Sequence, residues 1–496
     1  MSPNEYRNLI GGEWVAAATG KTFKNVNPAD HGDVVGEFPA SGPEDVADAV
    51  AAAKKAFASW RLVPAPKRAE ILYRAGRILQ ERKERFARDM TREMGKVLAE
   101  TRGDVQEAID EAYYVAGEGR RLFGKTTPSE LQNKFAMSVR MPVGVVGMIT
   151  PWNFPMAIPS WKLFPALVGG NTCVIKPATD TPLSVYNLVE ALVDAGLPPG
   201  VINIVCGGGG SVGNALVEHP DVRAISFTGS SEVGSHVAQR AAANFKPVSL
   251  EMGGKNAQIV LDDANLELAL DGALWGAFGT TGQRCTATSR ILLQKGIAAE
   301  FTQKLVERAK KLKIGNGLDE SVQVGPQVNA SQIETSKNYV EIAKGEGAKL
   351  LCGGNALTEG EYGKGTFFEP TIFGGVTKCM RIAREEVFGP VLSLIEFDTF
   401  EQGVEIANSI QYGLSSALYT RDVNRAFAAI RDLEAGITYI NAPTIGAEVH
   451  LPFGGVKQTG NGHREGSEAI EFFTTWKAVY VDYSDTLQRA QIDNAE

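Results

Sequence analysis

Histidine is scarce in this chain: His31, His219, His236, His450 and His463 are scattered through 496 residues and sit in no motif. That argues against a histidine metal centre and against a Cys–His hydrolase. Cysteine is as sparse. Cys173, Cys206, Cys285, Cys352 and Cys379 are odd in number and contain no close pair. Neither a zinc site nor a disulfide framework is expected, and a reducing, cytoplasmic setting is. Basic excess is also missing, with 50 Lys and Arg against 58 Asp and Glu, and no basic run occurs. This excludes nucleic acid and anionic membrane as expected partners. No apolar run approaches the roughly 18 residues of a membrane helix. The N-terminal stretch, with Glu5 and Arg7, lacks the apolar centre of a signal peptide.

What is present is length and alternation. A chain of 496 residues outgrows a single core, so two or three domains are expected. Residues 1–42 read as short strands and turns, Pro43 to Arg61 as an amphipathic helix, and Pro66 to about Phe123 as further helix broken near Gly95 and Gly103. After a strand-like Phe135–Arg140 comes an apolar Val143–Ile149. Strand–helix pairs then follow: Cys173–Ile175 with Leu183–Ala195, Val201–Val205 with Val212–Glu218, and Ala224–Phe227 with Glu232–Ala243. Short apolar strands alternating with helices predict an α/β fold with parallel sheets covered on both faces. A second set runs from about Ala257 to Ile440, and the C-terminal stretch opens on a strand at Val479–Val481.

Cys285 stands in Gly279-Thr280-Thr281-Gly282-Gln283-Arg284-Cys285-Thr286, between a helical Leu266–Phe278 and a strand-like Arg290–Leu293. A thiol on such a junction is open to substrate, and backbone N–H groups with the Arg284 charge are expected to favour its thiolate. Alone, it reads first as a small buried hydrophobe, which is the commoner role of a lone cysteine. Phe227-Thr228-Gly229-Ser230 precedes a helix, as a phosphate site does, and equally as an ordinary capped turn does. Asn153, in Pro151-Trp152-Asn153-Phe154-Pro155, offers an amide to an oxyanion or to its own backbone. Lys176 ends a strand where α/β sheets bind ligands. Without a histidine base, Glu251 is the best carboxylate to serve the thiol.

Taken together, Pro151–Pro155, Phe227–Ser230, Glu251-Met252-Gly253-Gly254-Lys255, Gly282–Cys285, Glu386-Val387-Phe388-Gly389-Pro390 and Pro452-Phe453-Gly454-Gly455 resemble the aldehyde dehydrogenase superfamily in order and spacing. The resemblance implies a three-domain α/β architecture. A Rossmann-like dinucleotide-binding domain would span 1–122 and 143–252, a catalytic domain 253–469, and an oligomerisation arm with its tail 123–142 and 470–496, in a homodimer or homotetramer. It further implies that Cys285 attacks the aldehyde, that Asn153 and the Cys285 N–H hold the oxyanion, and that Glu251 activates water against the thioester. Thr150, Pro151, Trp152, Lys176, Thr179, Gly229, Ser230, Glu386 and Phe388 would contact the NAD or NADP cofactor, and no metal is implied.

Two departures bear on the chemistry. Many NAD-preferring members carry a glutamate where this chain has Thr179; a neutral hydroxyl there predicts that NADP is accepted, with Asp180 next door as the counter-argument. Some members carry a glutamate in the C-terminal segment near the active site, where Thr475 is expected to stand, concentrating the base role on Glu251. Arg284 and Thr286 flank the thiol as candidate substrate contacts. An arginine there can pair a distant carboxylate bidentately, or point into a structural ion pair. With Asn441–Glu448, the chain looks closest to α-ketoglutaric or aminoadipic semialdehyde dehydrogenases, oxidising a small ω-oxo acid. The rival readings are a general aldehyde dehydrogenase and a thiol esterase without redox chemistry.

Overall fold

The computed structural model describes residues 5–463 and 465–493. Its N-terminal strands are followed by the helices Pro43–Trp60, Ala65–Glu81, Lys83–Met94 and Leu98–Glu118. The break expected near Gly95 is real: this glycine ends a helix at φ 93, a left-handed cap that only glycine adopts without strain. No break occurs at Gly103, which lies inside Leu98–Glu118. The helix continues because its buried face, including Thr101, Asp104, Val105 and Ala108, stays in phase across that position.

Two seven-stranded sheets carry the α/β fold. In the first, Val145–Ile149, Thr172–Lys176, Ile202–Ile204, Val222–Thr228 and Val248–Glu251 run parallel, and Asn8–Ile10 and Glu13–Val15 extend one edge antiparallel. From Val145–Ile149 the chain steps outward on one side through Thr172–Lys176 to Ile202–Ile204. It then crosses to the other side for Val222–Thr228 and Val248–Glu251. The carboxyl ends of strands at such a reversal form a crevice where α/β sheets take ligands. In register, Thr228 lies beside Glu251 and Ile149 beside Lys176, so Glu251 and Lys176 share that edge with Gly229 and Thr150, the residues that follow their partners. Apolar clusters cover both faces: Phe164, Leu167 and Leu188 belong to one, and Val212, Leu216 and Val237 to the other.

The second sheet runs Lys349–Cys352, Thr371–Gly374, Val391–Phe397, Thr288–Gln294, Asn256–Val260, Ser415–Tyr419 and Ile437–Ile440, parallel except for its first strand. A three-stranded antiparallel sheet stands apart. Here Thr474–Asp482 pairs along its whole length with Lys134–Pro142, which also pairs Lys125–Pro128. Trp476, Tyr480 and Phe135 are exposed on it. Residues 494–496 of the expected tail and 1–4 of the expected first domain lie outside the described residues. Among the described residues, no helix is long and apolar enough to cross a membrane.

One helix, Ala157–Gly169, has no counterpart in the sequence reading. All its residues but Ile158 are buried, so it shows no polar stripe from which a helical period can be read.

Candidate functional site

Cys285 stands where two cavities meet. One is a cleft of about 1130 Å3 lined by Pro151, Trp152, Asn153, Gly229, Ser230, Glu386 and Phe388 as well as the thiol. The other, about 710 Å3, is lined by Glu251, Arg284, Thr286, Glu107, Trp161, Phe453 and Glu465, again with Cys285. Ile158, Thr228 and Met252 belong to both. Of the candidate residues, only Thr150, Lys176 and Thr179 stand outside these walls, at the carboxyl edge of the first sheet and the turn beyond it.

The loop carrying the thiol is fixed from the second sheet. The side chain of Asn256 donates to the carbonyls of Cys285 (2.7 Å) and Ala287 (2.9 Å) and accepts from Ser415 N–H (2.9 Å). Thr444 Oγ1 donates to the Thr286 carbonyl (2.7 Å). Glu251 is held at the end of its strand by neighbours on both sides. Its carbonyl accepts from Gly229 N–H (3.1 Å), and Met252 N–H donates to the Thr459 carbonyl (2.7 Å). Asn153 is buried, and its amide makes no hydrogen bond among the described residues. It lines the cleft together with Cys285.

The expectation of a thiolate is corrected. Burial, then the carboxylates of Glu386 and Glu251, push the Cys285 thiol up to about 12, with Glu465 adding to them. The Thr286 N–H opposes this only in part. Arg284 does not help, because its charge is already matched. Its Nη2 lies 2.9 Å from Glu100 Oε1 and its Nε donates to Thr280 Oγ1 (2.9 Å), with both charged side chains largely buried. The reading of Arg284 as a bidentate clamp for a substrate carboxylate is corrected on the same ground. The structural ion pair, the bland alternative, is what the fold builds.

The Thr475 reading is corrected too. Thr475 pairs with Met141 on the three-stranded antiparallel sheet and lines neither cavity. The carboxylate that enters from the C-terminal segment is Glu465, which pairs with the fully buried Lys162. Lys162 also donates to Ser226 Oγ (2.9 Å). A lone lysine within the apolar run from Ala157 to Gly169 was the signal for this pair, since a buried ammonium requires a counter-charge. Glu107, on Leu98–Glu118, was missed because a glutamate on an amphipathic helix looks like a solvated face. It makes no hydrogen bond or ion pair among the described residues, and burial pushes its carboxyl up to about 8.

The cleft suits a dinucleotide. Thr150 Oγ1 and Thr228 Oγ1 are buried at the strand reversal and have no hydrogen-bond partner among the described residues. Ser230 caps the helix Ser231–Ala242 by accepting from Val233 N–H (3.3 Å), leaving a helix N-terminus facing the cleft. Glu386, pushed up to about 7 by burial, accepts from Gly254 N–H (2.9 Å). Phe388 packs edge-on to Trp152 at 5.2 Å and is held at φ 56, a rare backbone state for a side-chain-bearing residue. Lys176 Nζ donates to the carbonyls of Pro177 (2.7 Å) and Gly207 (3.3 Å), and burial pulls its ammonium down to about 8. Thr179 is exposed, while the Asp180 carboxylate accepts from Asn329 Nδ2 (2.9 Å) and its carbonyl from Asn25 Nδ2 (2.6 Å).

Comparison with known proteins agrees with this geometry. Residues 14–479 match the aldehyde dehydrogenase family. The chain is 46% identical over 479 residues to an alpha-ketoglutaric semialdehyde dehydrogenase of Bacillus subtilis, covering 96% of this chain and 98% of that one. It is 40% identical to an NADP(+) succinate-semialdehyde dehydrogenase of Escherichia coli, over 93% and 94% of the two chains. A crystal structure of betaine aldehyde dehydrogenase from Staphylococcus aureus in complex with NAD+ superimposes with a TM-score of 0.95 at 36% identity, over 97% and 95% of the chains. The α/β architecture is thus that of these enzymes, and the chain belongs to the aldehyde dehydrogenase family, as an NAD(P)-dependent oxidoreductase acting on an aldehyde.

Proposed function

We propose that this enzyme oxidises a small ω-oxo acid to the dicarboxylic acid, with Cys285 as nucleophile and Glu251 as base. The observation that carries this reading is the position of the thiol. Cys285 opens on one side to a cavity holding Glu251 and on the other to a cleft holding Asn153 and the dinucleotide-type features. The thiol waits protonated, and Glu251 in the same cavity is the group to take its proton as sulfur attacks the aldehyde carbon. Asn153 Nδ2 and the Cys285 N–H then hold the oxyanion of the thiohemiacetal; one such donor is worth about 3 kcal/mol. NAD(P), when bound, supplies the hydride acceptor that turns the thiohemiacetal into a thioester. Once Glu251 has released the thiol's proton to solvent, it draws a proton from water as water attacks the thioester; the carbon–sulfur bond breaks, the proton passes to the Cys285 sulfur, and the acid leaves.

Glu386, Gly229, Ser230, Phe388, Thr150, Pro151, Trp152 and Lys176 are the residues proposed to hold the cofactor. Thr179 in place of a carboxylate, with Asp180 engaged by Asn329, supports acceptance of NADP. The ω-carboxylate is supported by the state of the substrate cavity. Glu465 is matched by Lys162 and Arg284 by Glu100, and Glu107 holds a proton at neutral pH that it can donate to a distal oxygen. The relatives named for semialdehydes support the same class. The division into 1–122 with 143–252, 253–469, and 123–142 with 470–496, the cytoplasmic setting, and pairing of exposed arm sheets in a homodimer or homotetramer belong to the same proposal.

The test is a panel of straight-chain, aromatic and ω-carboxylated aldehydes against both cofactors, read by reduced-nicotinamide absorbance. The highest kcat/KM should fall on the ω-oxo acids, with no dependence on CoA. A preference for uncharged aldehydes would overturn the substrate class. Ester cleavage without any dinucleotide turnover would overturn the redox reading.

A further inference from the structure

Two adjacent β-branched residues, Thr280 and Thr281, sit at φ 52 and 56, immediately ahead of the glycine that leads into Cys285. β-Branched side chains avoid this region, so such a loop persists only where its surroundings hold it. Here the holder is Glu100. Its two carboxylate oxygens accept from Thr280 N–H at 2.8 and 2.7 Å, and Oε2 also accepts from the Thr280 hydroxyl at 3.1 Å. Arg284 closes the ring by reaching both Glu100 and Thr280. The carboxylate also packs close on the loop's start, since a Cβ at Gly279 would lie 2.9 Å from Glu100 Oε1.

The same helix holds the oxyanion donor. Asp104, four residues after Glu100 and so on the same face, pairs with Lys96 at 2.6 Å, both side chains fully buried. Its other oxygen accepts from Ala157 N–H at 2.7 Å. Lys96 Nζ lies 3.9 Å from the centre of the Phe154 ring, and the Arg284 guanidinium lies 5.1 Å from that same centre. Phe154 is the residue next to Asn153.

We infer that Glu100 is a positioning residue. Through Thr280 and Arg284 it sets the Cys285 sulfur, and the Arg284–Phe154–Lys96–Asp104 contacts lock that setting to Asn153, so that one helix fixes the gap between nucleophile and oxyanion donor. The role of Arg284 follows: it spaces the two reacting groups. The inference rests on the proposed thiol mechanism, and it is tested partly by a reaction that needs neither aldehyde nor cofactor.

The experiment compares Glu100→Gln, Arg284→Lys and Glu100→Gln/Thr280→Gly in the full-length enzyme. A displacement of the order of 1 Å costs roughly 100-fold in rate. Glu100→Gln should therefore lower kcat by roughly 10- to 100-fold, by the same factor on an ω-oxo acid and on an uncharged aldehyde, with KM for the cofactor unchanged. Its rate of Cys285 alkylation by iodoacetamide should shift as well. Adding Thr280→Gly, which frees the left-handed backbone, should restore part of the loss. A fold defect alone would move the melting temperature without that recovery. Arg284→Lys, which keeps the charge but lacks the planar fork, should reproduce the kcat loss, and it carries the test if Glu100→Gln does not fold. If kcat stays within twofold in these variants, the proposal fails. It fails equally if only KM for the ω-oxo acid rises, because Arg284 would then be a substrate contact. An unchanged alkylation rate beside a lost kcat would also contradict it, without touching the proposed reaction.

Discussion

Placing a methyl group on Gly253 tests the cofactor side of the site with little disturbance to the fold. A Cβ at that position would overlap Glu386 Oε2 and stand 2.7 Å from the carboxyl carbon. Carbon atoms pack at roughly 3.5–4.0 Å, so the carboxylate must retreat by about 1 Å. Its hydrogen bond from Gly254 N–H, now 2.9 Å, then stretches beyond bonding range. The obstructing atoms are the far end of a flexible side chain, and Gly253 is not among the positive-φ glycines, so the alanine is tolerated by the backbone. The loss falls on whatever Glu386 holds. A hydrogen bond to a charged group is worth about 1.5–3 kcal/mol, which predicts a rise in cofactor KM of roughly 10- to 100-fold. Melting temperature and aldehyde KM should barely change. Steady-state kinetics with varied cofactor decides the matter: an unchanged cofactor KM in Gly253→Ala would refute the role given to Glu386.

Three more expectations follow from the same geometry. Thr179→Glu should cut kcat/KM with NADP several-fold while sparing NAD. Two like charges about 4 Å apart repel by roughly 1 kcal/mol in water and about 4 at a protein surface, and an equal loss on both cofactors would count against the assignment. Glu107→Gln should remove a pH dependence. In the native enzyme KM for an ω-oxo acid should climb as pH rises through about 8 and the Glu107 carboxyl loses its proton, whereas the variant stays flat. Stability has the same sign. The unfolded chain releases this proton near the ordinary glutamate value and the native one near 8, so native stability falls across that window and Glu107→Gln should be the more stable protein at pH 9. Lys162→Met should destabilise the fold by about 3–5 kcal/mol, since it strands Glu465 in the interior. Chemical denaturation would read this directly, and a change below 1 kcal/mol would mean that the pair is not buried as described.

How much of this was legible in the sequence depends on whether a residue's signal is local. The strand–helix alternation from Val145 to Ala242 and the junction before Cys285 were readable, because apolar runs and glycine breaks are written into adjacent residues. Helix Ala157–Gly169 was not, since burial on all sides erases its period. The pairs Arg284–Glu100 and Lys162–Glu465 join residues 184 and 303 positions apart, so the sequence alone allowed Arg284 to be read as a substrate clamp. The state of the Cys285 thiol was misread for a related reason. Burial does most to hold its proton, and the carboxylates that add to it, Glu386, Glu251 and Glu465, each come from a different segment, while the one cation beside it in sequence is spent on Glu100. Motif order identified which residues meet; it carried nothing about the charges that meet with them.

The central claim, that Cys285 and Glu251 divide acylation and hydrolysis between them, is tested most directly by rapid-mixing kinetics of Glu251→Gln with saturating aldehyde and cofactor. The account predicts a burst of reduced nicotinamide close to one equivalent per subunit, then near-arrest, with a thioester on Cys285 detectable by mass. Continued turnover at the native rate, or arrest with no covalent adduct on Cys285, would contradict it.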